Sequence, residues 1–378
     1  MSKLPYAKPE EIDLDPQRLQ VAYDLLAEWT AGDKAPVPSA AIAVGRRGKL
    51  VEPRYFGRMG AEPGSPAIRP DAAFLLASIT KPIVYLAGLQ MVERGKLNLT
   101  DRVTRYFPEF AAHHKEDTLV LHLFTHTSGL PDMLTNNVEL RKAHAPLDKF
   151  LQHAIRDTVP LFKPGTDLSY QSMGTLVVAG IVQELSDMPI ADYVQKHIFD
   201  PLGLESSELG RRKLTKERIV SLQRPGFLQD ADTSYDWNSD YWQKLGAPWG
   251  GMLSTPDDFA VICQMLLNRG TWNQQRILSR ATVDKLSTNR LDDMPDLGGS
   301  ARRAQPWGLG WRMNHPTMPD SWGDLLGSRV FGHTGASGTL VWIDPEADAF
   351  CILFTNALRS AAPWRLVNLS NIVASSFV

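Results

Sequence analysis

Apolar positions recur along this chain with two periods, and the switches between them mark out its elements. Between residues 13 and 31, Leu14, Leu19, Val21, Leu25, Leu26 and Trp29 fall near one face of a 3.6-residue repeat, which predicts a helix. Residues 40–45 form a short apolar run, Arg46-Arg47-Gly48-Lys49 supplies a turn, and residues 50–55 return. That is a hairpin, and Pro53, which cannot donate to a ladder, places the return strand at an edge. Residues 71–76 lead into an apolar helix that opens around Ser78, with Pro82 in its first turn and Gly95 as its stop.

From about 100 to 290 the pattern is mostly helical, clearest over 173–187 and 256–269. The stretch 222–248 is polar and aromatic without a period and reads as a long loop, of a kind that is usually functional or mobile. Strand signals return at 307–313, 338–343 and 349–355, with Asp344-Pro345-Glu346-Ala347 as a turn, before a last helix over 362–375. Strands at both ends with helices between predict an α+β fold of sandwich type, its sheet built from both termini and flanked by helices. The expected division is a sheet domain from 1–80 and 300–378 and a mainly helical inserted domain over 81–299, with a site in the cleft between them.

Composition narrows the function. Of 378 residues, 43% are apolar and 22% charged, as in an ordinary globular enzyme, and the net charge of -2 argues against nucleic acid or an acidic membrane as the main partner. Cys263 and Cys351 each lie in an apolar run and imply no disulfide framework. No stretch approaches the roughly 18 apolar residues of a membrane span. The opening Met1-Ser2-Lys3-Leu4-Pro5 and its continuation hold no signal-peptide core, so a cytoplasmic location is expected.

The chemistry begins at Ser78-Ile79-Thr80-Lys81. Ser78 is the only serine with lysine three residues on. A serine hydroxyl needs a base to take its proton as it attacks, and residues three apart on a helix share a face. The flanks Phe74-Leu75-Leu76-Ala77 and Ile83-Val84-Tyr85-Leu86 are apolar, so Lys81 should be desolvated and its amine freed to act as that base. His122 and His126 stand four apart, yet Thr127-Ser128-Gly129 breaks any helix there. They read as structural, and no metal or cofactor is expected. Arg302-Arg303 reads as a solvated loop pair.

Two further motifs lie far along the chain: Tyr170-Gln171-Ser172 before the 173–187 helix, and His333-Thr334-Gly335 before a C-terminal strand. In order, the three sets resemble the Ser-x-x-Lys, Tyr-x-Asn and Lys/His-Thr-Gly signatures of the serine beta-lactamase-related family. That family includes class C beta-lactamases, penicillin-binding DD-peptidases, D-aminopeptidases and family VIII carboxylesterases. Leu123-Phe124-Thr125-His126-Thr127-Ser128-Gly129-Leu130-Pro131 and Gly250-Gly251-Met252-Leu253-Ser254-Thr255-Pro256 strengthen the likeness, which runs from about 15 to 377. It implies a beta-lactamase/transpeptidase-like fold and an acyl-enzyme on Ser78. Lys81 and Tyr170 would share the proton work, with either as formal base. The backbone N–H groups of Ser78 and Ala336 would hold the oxyanion.

The departures from the family pattern point to substrate. Ser172 stands where the family often has Asn, and His333 where lactamases usually carry Lys. A hydroxyl reaches less far than an amide, and histidine is largely neutral at pH 7. Both changes weigh against an efficient beta-lactamase and favour an esterase or a peptidase-like hydrolase. The expected activity is a carboxylesterase for short or medium acyl esters, with a beta-lactamase or D-amino-acid peptidase, a transacylase and a catalytically dead binding module as the alternatives; the intact Ser78, Lys81 and Tyr170 argue against the last. The expected partner is a small-molecule ester or amide. His333, Gly335 and Ser172 would contact it, and Trp249 and the Tyr241-Trp242 pair would line an acyl pocket.

Overall fold

The computed structural model describes residues 3–62, 64–224, 232–304, 306–315 and 322–378. In chain order its strands are β1 (Ser39–Arg46), β2 (Lys49–Leu50), β3 (Arg54–Gly57), β4 (Phe74–Leu75), β5 (Glu208–Leu209), β6 (Met252–Ser254), β7 (Thr271–Trp272), β8 (Gln275–Arg276), β9 (Arg312–Met313), β10 (Phe331–Gly335), β11 (Thr339–Asp344) and β12 (Ala349–Thr355). The main sheet runs β2-β1-β12-β11-β10-β9, with β3 also on β1, and its ladders are antiparallel. N-terminal β1 pairs β12 from Ala40↔Thr355 to Arg46↔Ala349, so the two ends of the chain share the centre of one sheet.

Both faces of that sheet are covered, and the two-residue period sorts the side chains between them. Ala40, Ile42, Val44, Leu340, Trp342, Cys351 and Leu353 face one apolar cluster with the helices Pro16–Trp29 and Trp364–Ala374. Their neighbours Ala41, Ala43, Val341, Ile343, Phe350, Ile352 and Phe354 face the larger cluster shared with the rest of the helices. The helices Thr80–Glu93 and Ser172–Ser186 run through that second cluster with most residues buried, which is why they are apolar nearly all round. Tyr85 ties them together: its hydroxyl lies 3.0 Å from the Leu123 carbonyl and 2.9 Å from Thr175 Oγ1.

The sequence reading locates the longer elements to within a few residues. Helices expected over 13–31, 173–187, 256–269 and 362–375 span Pro16–Trp29, Ser172–Ser186, Pro256–Leu267 and Trp364–Ala374. Pro53 breaks the returning arm into β2 and β3. Gly95 closes the Thr80–Glu93 helix at φ +67, its N–H donating to Val92.

Three readings need correction. Residues 307–313 do not form one strand. Gly310 takes φ +79, the Gly308 N–H donates to the Trp311 carbonyl, and Trp307 folds back to bridge Arg312, leaving only Arg312–Met313 in the sheet. The stretch 222–248, of which 225–231 lie outside the described residues, holds a helix at Asp240–Leu245 capped by Ser239 Oγ. That helix is too short for a periodicity test. Arg302 is also not a free surface group. Its guanidinium donates to the Leu297 carbonyl at 3.0 Å and the Asp292 carbonyl at 3.2 Å, whereas the Arg303 side chain lies outside the described residues.

The outer end of the Phe350 ring presses against Gly45, its cross-strand partner. A Cβ on Gly45 would sit 2.1 Å from the ring, which is itself fully buried. Gly45→Ala should therefore destabilise the fold by about 1–3 kcal/mol in urea denaturation. Unchanged stability would mean that the ring can shift aside.

Candidate active site

Ser78 is delivered by a strand and a strained turn. β4 pairs β6 through Phe74↔Ser254 and Leu75↔Leu253, and the Leu76 N–H donates to the Met252 carbonyl at 2.9 Å. At Ala77 the chain turns left-handed, φ +47, and one 3-10 turn, Ala77–Ile79, leads into the Thr80–Glu93 helix. A non-glycine residue there costs about 1–2 kcal/mol and persists only where its surroundings hold it.

Here those surroundings are the third motif. Ser337 Oγ donates to the Leu75 carbonyl at 2.7 Å and Thr339 Oγ1 to the Leu76 carbonyl at 3.0 Å. A Cβ on Gly335 would lie 2.3 Å from the Leu76 oxygen and 2.1 Å from Thr339 Oγ1. Only glycine lets β10 approach so closely, and that approach brings Ala336 to the same cleft wall as Ser78. Gly335 itself lies behind that wall, with Thr334 and Ala336 lining the cleft on either side of it. Its missing side chain lets the strand pack against the Ser78 turn.

Lys81 is 1% exposed, with Nζ 3.0 Å from Ser78 Oγ and donating to the Trp249 carbonyl at 2.8 Å. Burial lowers its pKa from the ordinary 10.5 to about 7, against a small upward pull from Asp132. The same nitrogen lies 4.9 Å from the centre of the Tyr170 ring. The Tyr170 hydroxyl is buried without a completed hydrogen bond. Burial drives its pKa above the ordinary phenol range, although Ser78 stands near enough to favour the ionised form. Three groups 92 residues apart at the extremes of 78 and 170 thus converge.

Tyr170 is held from behind by the two histidines of the 122–126 stretch. Gln171 caps the Ser172–Ser186 helix; its N–H donates to His126 Nδ1 at 3.1 Å, its Nε2 to the His122 carbonyl at 3.1 Å, and its Oε1 accepts from Ser128 Oγ. His126 sits at φ +59 with its ring 4.7 Å from that of Tyr170. Burial holds His126 neutral, with its pKa well below the ordinary value. His122 Nδ1 accepts from the Leu119 N–H at 3.2 Å. Among the described residues no group of three or more His, Cys, Asp or Glu is arranged to hold a metal ion.

The cleft encloses about 700 Å³. His333 lines it, 5.9 Å ring to ring from Tyr170. Its Nδ1–H donates to the Thr334 carbonyl at 2.7 Å, leaving Nε2 a buried acceptor without a partner. Burial, with Lys81 nearby, pushes its pKa down to about 3, so the ring is neutral at pH 7. Ser172 also reaches the cleft, but its Oγ and N–H both donate to Asp132 Oδ1, at 2.6 Å and 2.9 Å. Trp242 and Trp249 form one wall, edge to face at 6.2 Å, with Trp237 beside them. Tyr241 turns the other way, donating to the Ala145 carbonyl and stacking on His144.

Sequence reasoning missed Asp132, Arg141, Trp307, Arg312 and Arg359, all of which line the cleft. None belongs to a short signature, and only the fold brings them to the site. Asp132 had one usable signal, its place directly after Leu130-Pro131 in a recognised stretch.

Known proteins resemble this chain over almost its whole length. A provisionally named D-alanyl-D-alanine carboxypeptidase of Salmonella agona is 25% identical over 94% of this chain and 86% of its own length. Among solved structures, a penicillin-binding protein homologue from Caulobacter crescentus superposes with a TM-score of 0.75 at 20% identity, covering 96% of this chain and 98% of its own. A family VIII carboxylesterase gives 0.73 at 19% identity over 98% and 99%. These likenesses establish the beta-lactamase/transpeptidase-like fold. The Beta-lactamase family model matches residues 27–372, and the chain belongs to that family of serine hydrolases.

Proposed function

We propose that this protein is a carboxylesterase that acts on short or medium acyl esters through an acyl-enzyme on Ser78. The observation that carries the reading is the Lys81 amine, 3.0 Å from Ser78 Oγ and desolvated until its pKa falls to about 7. At neutral pH about half of these amines are unprotonated. The Trp249 carbonyl engages one N–H, which leaves the lone pair to face the serine. Ser78 Oγ attacks the ester carbonyl as its proton passes to Lys81, and the N–H groups of Ser78 and Ala336 receive the oxyanion. The intermediate collapses, the C–O bond to the leaving alcohol breaks, and the alkoxide takes the Tyr170 proton. A proton from Lys81 restores the phenol, so that both groups begin the second half-reaction as they began the first. Water then repeats the sequence on the acyl-enzyme and releases the acid. Tyr170, raised above the ordinary phenol range, serves as the protonated relay and Lys81 as the resting base.

Two substitutions support an ester over a lactam. His333 is neutral where a cation would hold a lactam carboxylate, and Ser172 spends its hydroxyl on Asp132 instead of presenting an amide to an acylamino group. A second reading, a D-amino-acid peptidase or beta-lactamase, is favoured by the Salmonella relative's name and by Arg312 and Arg359 on the cleft wall. Turnover of para-nitrophenyl esters against nitrocefin and D-alanyl peptides separates the two. Faster turnover of nitrocefin would reverse the order, and ester product formed with an added alcohol would reveal a transacylase.

Ser78 should label with a fluorophosphonate, and Ser78→Ala should lose both labelling and ester turnover. Residual hydrolysis at the wild-type rate in that variant would end the acyl-enzyme reading, and absence of labelling in the wild type would point to a binding module.

The pH dependence follows from Lys81. Because its pKa is lowered and its base form is the neutral amine, kcat/KM should rise with pH through about 7 and then level. His333, at about 3, adds no limb in the working range. Asp132 pulls the Lys81 pKa upward, so Asp132→Asn should move the limb to lower pH. A limb unmoved in that variant would separate Asp132 from the base.

A further inference from the structure

The indole-walled end of the cleft holds a charge that the Ser78 chemistry does not use. Arg141, in the short helix Asn137–Lys142, lines the cleft with Asn137, Trp237, Trp242 and Trp249. Its Nε and Nη2 both donate to the Tyr235 carbonyl, at 3.1 Å and 2.5 Å, and its guanidinium carbon lies 4.4 Å from the Trp242 ring centre. That clamp orients the fork and leaves the outer edge, Nη1 and the second Nη2 hydrogen, without a bond to any described residue. Burial has stripped much of its water, as the downward direction of its pKa records. Among the described residues no carboxylate stands within ion-pair reach of it, and Asp236, the carboxylate that acts on it, is paired to Arg224 at 3.0 Å. Asn137 Oδ1 at the same end is buried without a partner. Asp132, the one carboxylate among the described residues lining the cleft, is clasped by Ser172 at the nucleophile's end.

We propose that Arg141 makes this end of the cleft an anion-accepting subsite, which selects acyl groups carrying a carboxylate remote from the reacting carbonyl. A half-ester of a short dicarboxylic acid is the simplest such substrate. A desolvated guanidinium without a counter-ion gains most from an anion, and its planar edge accepts a carboxylate with two parallel hydrogen bonds. Because the Tyr235 carbonyl already fixes the fork, little side-chain freedom is lost on binding. The flanking indoles bury the methylenes between the two ends.

The turnover arm of the test rests on the esterase reading; the binding arm does not. Wild-type kcat/KM for mono-para-nitrophenyl glutarate should exceed that for para-nitrophenyl pentanoate, whose acyl chain has the same length. Arg141→Gln should lower that ratio roughly tenfold or more, and Arg141→Lys should keep part of it. Raised salt should shrink the wild-type preference. In a Ser78→Ala background, calorimetry should detect glutarate binding that Arg141→Gln weakens by a similar factor. Equal losses on both esters would make Arg141 a structural staple and overturn the proposal, as would a wild-type ratio near unity with no glutarate binding. Glutarate binding through Arg141 in a protein that hydrolyses no ester would uphold this subsite while removing the esterase reading.

Discussion

A lysine amine removed from water and set between a serine hydroxyl and a backbone carbonyl is the constraint around which this site is arranged. Burying a cation is costly unless it is paired or gives up its proton. Among the described residues Lys81 has no ion-pair partner, so the second outcome prevails and its pKa falls to about 7. The helix that carries it supplies the burial. Thr80–Glu93 is surrounded by apolar neighbours along most of its length, and that environment, more than any single contact, turns an ordinary ammonium into a base. The same low-dielectric surroundings keep His126 and His333 neutral and the Tyr170 phenol protonated. One physical cause thus moves three kinds of group, and the acyl-enzyme route proposed above draws on each of them.

That arrangement requires remote segments to be latched together with little freedom. The left-handed turn at Ala77 lies where three segments meet: β4, β6 and the β10–β11 turn, each hydrogen-bonded to the chain around it. Strain at one residue is offset by several buried hydrogen bonds, each worth about 1 kcal/mol net. Tyr170 is fixed differently, by ring packing against His126 and by the capping Gln171, whose side-chain amide bridges the His122 carbonyl and Ser128. Gly174 leaves room for that amide, because a Cβ there would lie 2.8 Å from it.

Much of this was legible from the chain. The longer helices and the strands at both ends follow from periodicity, and Ser78, Lys81, Tyr170 and His333 from ordered motifs. Features made by short-range geometry were not. Gly310 helps turn an apparent strand into a fold-back, since its positive φ leaves no trace in an apolar pattern. The Asp240–Leu245 helix is shorter than two turns, below what a 3.6-residue repeat can reveal. Arg141 and Asp132 line the cleft without belonging to any short signature, and no spacing rule encodes their placement. The packing of β10 on Leu76, which the missing side chain of Gly335 permits, likewise follows from the fold and not from the motif.

The margins of the main sheet have a consequence of their own. One border is β9, only Arg312–Met313, and the other is divided between β2 and β3 on either side of Pro53. Neither offers an uninterrupted row of amide and carbonyl groups to a foreign strand. The ladder at its centre, by contrast, runs seven pairs from Ala40↔Thr355 to Arg46↔Ala349. Strand recruitment of the amyloid type is thereby discouraged at the described borders, and the longest ladder among the described residues is the one that joins strands from near the two ends of the chain.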